Sequence, residues 1–154
     1  EQNNSANTVN CVGISISGEG FNSSSTTYNC IGISSSGKGF RIQYTPHYNL
    51  VSKSTSNYSI WNTNGSAKLY NAIVVCEWNN AAGYGIRGNG GNFIDLISNC
   101  TFNLSNASAP YLFNDGNAKA ISMRGNTYKG GGVFNINLTQ AIITVEDAQG
   151  NIFL

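Results

Sequence analysis

The sequence predicts an all-β chain wound as a right-handed parallel β-helix of about seven coils, and three features carry that expectation. The line NCVGISISGEGF, residues 10 to 21, recurs nineteen residues later as NCIGISSSGKGF, residues 29 to 40, with nine of twelve positions identical. A unit that short cannot enclose a core of its own, so the units must stack. The runs VGISI, AIVVCEW, NFIDLIS, VFNINL and AIITV are short, β-branched or aromatic, and bounded by Gly, Asn and Ser, as strands are. No segment sustains a helical period. Jelly rolls and antiparallel sandwiches also use short strands, but neither explains a nineteen-residue step with its corners in register.

Along the chain the doubled line continues in weaker copies. YNLVSKSTSNYSI, residues 48 to 60, keeps the Tyr-Asn opening and replaces Gly-x-Gly-Phe with Asn-Tyr-Ser-Ile. YNAIVVCEWNNAAGYGI, residues 70 to 86, regains Gly-x-Gly-Ile after an insertion, and SNCTF, residues 98 to 102, restores Asn-Cys. RGNTY, residues 124 to 128, has the same outline, and AIITVEDAQGNIFL closes the chain with one more alternating strand. Asn10, Asn29, Asn49, Asn71 and Asn99, with a sixth marker near 125, step by 19 to 28 residues and suit a recurring corner, because Asn tolerates the left-handed conformation. The pairs Gly18 and Gly20, Gly37 and Gly39, and Gly83 and Gly85 suit a second corner, because Gly tolerates the left-handed conformation too. At a strand spacing of about 4.8 Å, such a stack is a rod of roughly 30 to 35 Å. Residues 1–139 are expected to form the β-helix, and residues 140–154 a terminal strand that caps it and adds subunit contacts.

Charge is the unusual feature of the composition. Asp, Glu, Lys and Arg make up 10% of the 154 residues, hydrophobic residues make up 40%, and the net charge is +1. Phosphate binding needs clustered Lys and Arg, so a nucleic-acid partner is not expected. No apolar run is long enough to span a bilayer, and EQNNSANTVN has neither the basic start nor the apolar middle of a signal peptide; it reads as cut from a longer chain. Solubility falls to Asn, Ser and Gly. Cys11, Cys30, Cys76 and Cys100 are too dispersed for a zinc site and read as reduced, packed thiols, with a disulfide between adjacent coils as the lesser reading. The eight N-x-[ST] sequons are what chance gives in this composition.

The coil style, with NCTF at 99 to 102 and GYGI at 83 to 86, resembles the β-helical tailspikes and tail fibres of bacteriophages. The resemblance is one of repeat style over nearly the whole chain, and it extends to pectate-lyase-like β-helices. It implies a fragment of a homotrimeric virion protein, assembled in the host cytoplasm and extracellular when functional. It also implies recognition, and sometimes cleavage, of bacterial surface polysaccharide or lipopolysaccharide. The closing GNIFL, apolar and without a charged cap, points the same way, since exposed strand ends invite pairing unless covered.

Hydrolysis of a glycan uses two carboxylates about 5 to 10 Å apart. The acids are few: Glu1, Glu19, Glu77, Asp95, Asp115, Glu146 and Asp147. Glu77 and Asp95 stand at different distances from their corner asparagines and are expected on different faces, and Arg87, Arg124 and His47 form no evident lyase cluster. The expectation is therefore a structural and receptor-binding segment without a catalytic site, with part of a polysaccharide depolymerase as the alternative; an adhesin or ice-binding solenoid lacks its Thr-x-Thr faces here. Sugar sites combine flat rings with Asn, Asp and Arg. Trp61, Trp78, Glu77, Tyr84, Arg87, Tyr111 and Asp115 are the candidate ligand-binding residues, and no metal or cofactor is expected.

Overall fold

The structure is a computed structural model that describes residues 6–43, 45–55, 58–63, 67–77, 83–88, 94–103, 110–114, 120–129, 135–137, 144–150 and 152–153. Among these residues there is no helix, and the chain is a β-solenoid. Its strands come in threes. The first three groups are β1 (Thr8–Val9), β2 (Val12–Ser15) and β3 (Phe21–Asn22); β4 (Thr27–Tyr28), β5 (Ile31–Ser34) and β6 (Phe40–Ile42); and β7 (Pro46–Tyr48), β8 (Val51–Ser54) and β9 (Ile60–Asn62). Then follow β10 (Ala67–Tyr70), β11 (Ile73–Cys76) and β12 (Gly83–Gly88); β13 (Ile94–Ser98), β14 (Thr101–Asn103) and β15 (Pro110–Asn114); and β16 (Ala120–Arg124), β17 (Thr127–Lys129) and β18 (Asn135–Asn137). The strands β19 (Thr144–Gln149) and β20 (Ile152–Phe153) complete the series.

Each member of a group joins a different sheet. Sheet A runs β1-β4-β7-β10-β13-β16-β19, sheet B runs β2-β5-β8-β11-β14-β17-β20, and sheet C runs β3-β6-β9-β12-β15-β18. Every pairing among the described strands is parallel. The two copies of the repeated line pair as the sequence leads one to expect, Val12 opposite Ile31 and Ser15 opposite Ser34. Beyond Gln140, β19 and β20 stack on β16 and β17 as the next members of sheets A and B.

The corner between sheets A and B is the asparagine corner. Asn10, Asn29, Asn49, Asn71 and Asn99 have φ of 54°, 53°, 52°, 53° and 52°, in the left-handed region that costs most L residues about 1 to 2 kcal/mol. Their side chains form an axial ladder: Asn29 Nδ2 donates to Asn10 Oδ1 (3.1 Å), Asn49 to Asn29 (2.9 Å) and Asn71 to Asn49 (3.1 Å). The tyrosine preceding three of these corners stacks as well, Tyr28 on Tyr48 at 4.9 Å and Tyr48 on Tyr70 at 4.8 Å. Later in the chain Gly125 (φ 60°) and Gly150 (φ 65°) take the corner, and asparagine moves one place on. Asn126 there is buried in the slot that cysteine fills earlier, accepting from the Cys100 amide (2.8 Å) and donating to the Ile97 carbonyl (3.0 Å).

The Gly-x-Gly corner works differently from the sequence expectation. Neither Gly37 nor Gly39 needs a positive φ. Crowding excludes a side chain instead: a Cβ on Gly37 would collide with the Gly18 carbonyl one coil away, and one on Gly39 would lie 2.6 Å from the Lys53 oxygen. Stacked coils bring backbone against backbone at this corner.

The core is narrow, and its contents trade size between facing sheets. In its first two coils sheet B points Cys, Gly and Ser inward and sends Val and Ile outward, which resolves the ambiguous alternation of NCVGISI. Its central inward row reads Gly13, Gly32, Ser52, Val74, Phe102. Opposite, sheet C supplies Phe21, Phe40, Ile60 and Ile86. A Cβ on Gly32 would come within 2.7 Å of Phe40 Cδ2, so the phenyl rings fill the space the glycines leave. Phe21 and Phe40 stack at 4.7 Å. Several serines are buried instead of solvating the surface. Ser34 Oγ donates to the Gly18 carbonyl (2.7 Å) and accepts from the Gly37 amide (2.9 Å), and Ser54 Oγ donates to the Gly37 carbonyl (2.7 Å). They satisfy the backbone groups of the glycine corner.

All four cysteines are free thiols, and burial pushes that of Cys100 up to about 11. His47, in the inward row of sheet A between Thr27 and Leu69, is fully buried. Its Nε2–H donates to the Gln43 carbonyl (3.3 Å), which leaves Nδ1 to accept from the Thr27 hydroxyl (2.9 Å). That neutral tautomer is the folded form, and burial lowers the pKa from 6.5 to about 4.

Two outcomes follow. Asn49→Ala should destabilise the fold about 1 kcal/mol more than Asn49→Gly, because both lose the ladder but only alanine meets the left-handed penalty; urea unfolding of the two variants compares them. His47 binds a proton more readily in the unfolded chain, so its contribution is complete above about pH 6.5 and is lost as pH falls towards 4. The loss should be about 3 kcal/mol, and denaturation midpoints between pH 7 and 4 should flatten in His47→Gln.

Candidate functional site

The outer face of sheet C carries a column of side chains in register, Asn22, Arg41, Trp61 and Arg87, and the next Cα partner in that register is Asn114. Arg41, Trp61 and Arg87 each stand one place after a core residue of the strand, Phe40, Ile60 and Ile86, and Asn22 follows the partly buried Phe21, so the strand alternation that turns those residues inward also sets this column. A second column arises from the glycine corner. Glu19 and Lys38 occupy its middle position in the first two groups, and Tyr58 takes the same place in the third.

Where the columns meet, three cations converge on two rings. Lys38 Nζ lies 4.4 Å from the Trp61 centroid and 5.8 Å from that of Tyr58. Arg41 Cζ is 5.0 Å from the Trp61 ring, and Arg87 Cζ is 4.9 Å from the Tyr58 ring. The two rings lie 6.3 Å apart at 57°. Arg87 donates to the Tyr58 hydroxyl (3.0 Å), and Arg41 Nε to Thr63 Oγ1 (3.3 Å). Among the described residues one carboxylate reaches the cluster, Glu19, 3.8 Å from Lys38. Ring quadrupoles hold the cations near one another at a half-buried surface, where attraction to a ring offsets part of their mutual repulsion.

Of the sequence candidates, Trp61 and Arg87 are register partners in this cluster. Tyr84 and Tyr111 are also register partners on sheet C, and Tyr84 stands two places before Ile86 as Tyr58 does before Ile60. Glu77 goes elsewhere: it follows β11 of sheet B and pairs with Lys53 at 2.8 Å. Asp95 lies in β13 of sheet A, so these two acids belong to different sheets. Trp78 and Asp115 lie outside the described residues. Lys38, Arg41 and Tyr58 were not among the candidates. The signal for them was present in the repeat, since aligning the residue after each Phe or Ile gives Asn, Arg, Trp, Arg, Asn.

Chemically the cluster offers guanidinium and ammonium donors fixed by aromatic rings. It is suited to binding, and it lacks a carboxylate pair of the kind glycan hydrolysis uses among the described residues. Among those residues there is also no group of three or more His, Cys, Asp or Glu side chains that could hold a metal ion. Compared with protein-family models, curated proteins and solved structures, the chain matches none.

A cluster built for binding should contribute little to folding. Replacing Arg41 and Arg87 together by Gln should lower stability by no more than about 1 kcal/mol, because partly exposed cation–ring and ion contacts are individually weak. Thermal unfolding beside the wild type checks this.

Proposed function

We propose that the chain is a structural and receptor-binding segment of a bacteriophage tail fibre or tailspike: a right-handed stack of about seven coils that assembles as a homotrimer and recognises host surface polysaccharide. The observation that carries the reading is the outer face of sheet B. Its two outward rows begin apolar, Val12, Ile31, Val51 and Ile73 in one and Ile14 and Ile33 in the other, where Lys53 and then Val75 follow. They turn polar further on, with Thr101 and Thr127, and Asn103 and Lys129. Ile14 and Ile16 are 73% and 80% exposed, and Val12 is 63% exposed. A contiguous β-branched face is a poor surface to leave in water and a suitable one to bury against copies of itself. Three chains arranged around an axis would cover this face and leave sheet C, with its cation and aromatic cluster, turned outward. That division of faces suits a shaft that also binds.

Multi-angle light scattering tests the assembly. The wild type should show three times the 16.4 kDa chain mass. Ile14→Lys with Ile33→Lys should give the single-chain mass while keeping the β-rich circular dichroism spectrum, because the charges lie on the outer face and leave the core intact. A wild-type mass of one chain would overturn the trimer.

A further inference from the structure

The cluster on sheet C also bears on what kind of glycan would be recognised. We infer that it binds an anionic polysaccharide, one whose pyranose rings carry carboxylate or phosphate groups; this rests on the receptor-binding reading above. Lys38, Arg41 and Arg87 are three of only eight Lys and Arg residues in the chain, yet they gather around the same two rings. Across the described part of the cluster they are met by Glu19 alone. By contrast, Lys53, on the outer face of sheet B, has its charge answered by Glu77 at 2.8 Å.

The rings themselves favour this reading over recognition of a neutral sugar. A bare indole would offer its face to the apolar side of a pyranose. Trp61 has Lys38 and Arg41 against its ring, and Tyr58 has Arg87, so the groups presented are donors of fixed position and positive charge. The planar guanidinium fork matches carboxylate or phosphate oxygens two at a time, and Lys38 adds a point charge beside it. An anion seated among the three would also relieve their mutual repulsion. A polymer that repeats its anionic sugar would meet Arg41 and Arg87 in turn along the column, since they flank Trp61 on neighbouring strands.

Isothermal titration of the intact protein compares four probes: hexagalacturonate for carboxylate, a phosphomannan for phosphate, maltohexaose as an uncharged chain, and an oligothymidylate for nucleic acid. One or both charged glycans should bind at least about tenfold more tightly than maltohexaose, a difference of about 1.4 kcal/mol. That affinity should fall as NaCl rises from 50 mM towards 500 mM, as screening shortens the reach of the charges. Arg41→Gln with Arg87→Gln should lose at least about tenfold towards the charged glycan, the scale of one or two charge-assisted hydrogen bonds, while Lys68→Gln should not. Equal or tighter binding of maltohexaose would overturn the inference while leaving recognition of a glycan standing. Tighter binding of oligothymidylate would overturn both. Absence of binding by either charged glycan, or an affinity indifferent to salt, would also sink it, whatever the assembled mass proves to be.

Discussion

The parallel hydrogen bond from one coil to the next is the interaction on which the rest of the structure depends. Every described strand pairs along the axis, and so do the turns, as in Asn29 N to Tyr48 O (3.1 Å) and Gly20 N to Lys38 O (2.9 Å). A residue therefore meets its own equivalent, and nearly the same environment recurs at each level. That is why asparagine stacks on asparagine, tyrosine on tyrosine and phenylalanine on phenylalanine. It is also why a corner glycine is confined by a backbone atom of the neighbouring coil. Axial pairing converts a sequence repeat into columns, and the columns are what the molecule presents to its surroundings.

Within that constraint the interior is kept narrow by exchange. Where sheet B gives glycine, sheet C gives phenylalanine; where sheet B grows to Ser52 and Val74, sheet C shrinks to Ile60 and Ile86. In the first coils small residues face large ones, which is the kind of compensation that close-packed cores tolerate. Buried serine has a second use. Its hydroxyl reaches the glycine corner and supplies partners to the Gly18 carbonyl and to both backbone groups of the buried Gly37. His47 belongs to the same economy of polar groups, a neutral ring held between a hydroxyl and a carbonyl inside sheet A.

The outer faces divide the remaining work. Sheet B sends β-branched side chains outward over its first four strands in one row and over its first two in the other, before Lys53 interrupts it, a surface suited to burial between copies. Sheet C instead carries the column of Arg41, Trp61 and Arg87, joined from the glycine corner by Lys38 and Tyr58. Few charges are available to this chain, and concentrating three of them at one place gives that place a character the rest of the described surface does not share.

How far the sequence could be read depended on whether a feature repeats. The stacking, the nineteen-residue step, the asparagine corner and the parallel pairing of the doubled line were all legible, because each is a local requirement written again in every coil. Trp61 and Arg87 could be picked out by residue type, but nothing local says that they are neighbours; they stand 26 places apart and meet only because insertions between coils leave the strand register intact. Tyr58 and Lys38 were missed for the same reason, since each becomes notable only beside the other. The inward turn of Cys, Gly and Ser could not be read from NCVGISI, whose alternation is apolar on both parities. Only the facing sheet decided it: the phenyl rings of sheet C need the space that Gly13 and Gly32 leave, and Val or Ile at those two places would collide with them. The sequence by itself determined the period, the corners and the class of fold, because those follow from backbone conformation and hydrogen bonding within one coil and the next. The tertiary structure alone decided which face is core, which is apolar surface and which gathers charge, because those depend on side chains that meet across the interior or along the axis.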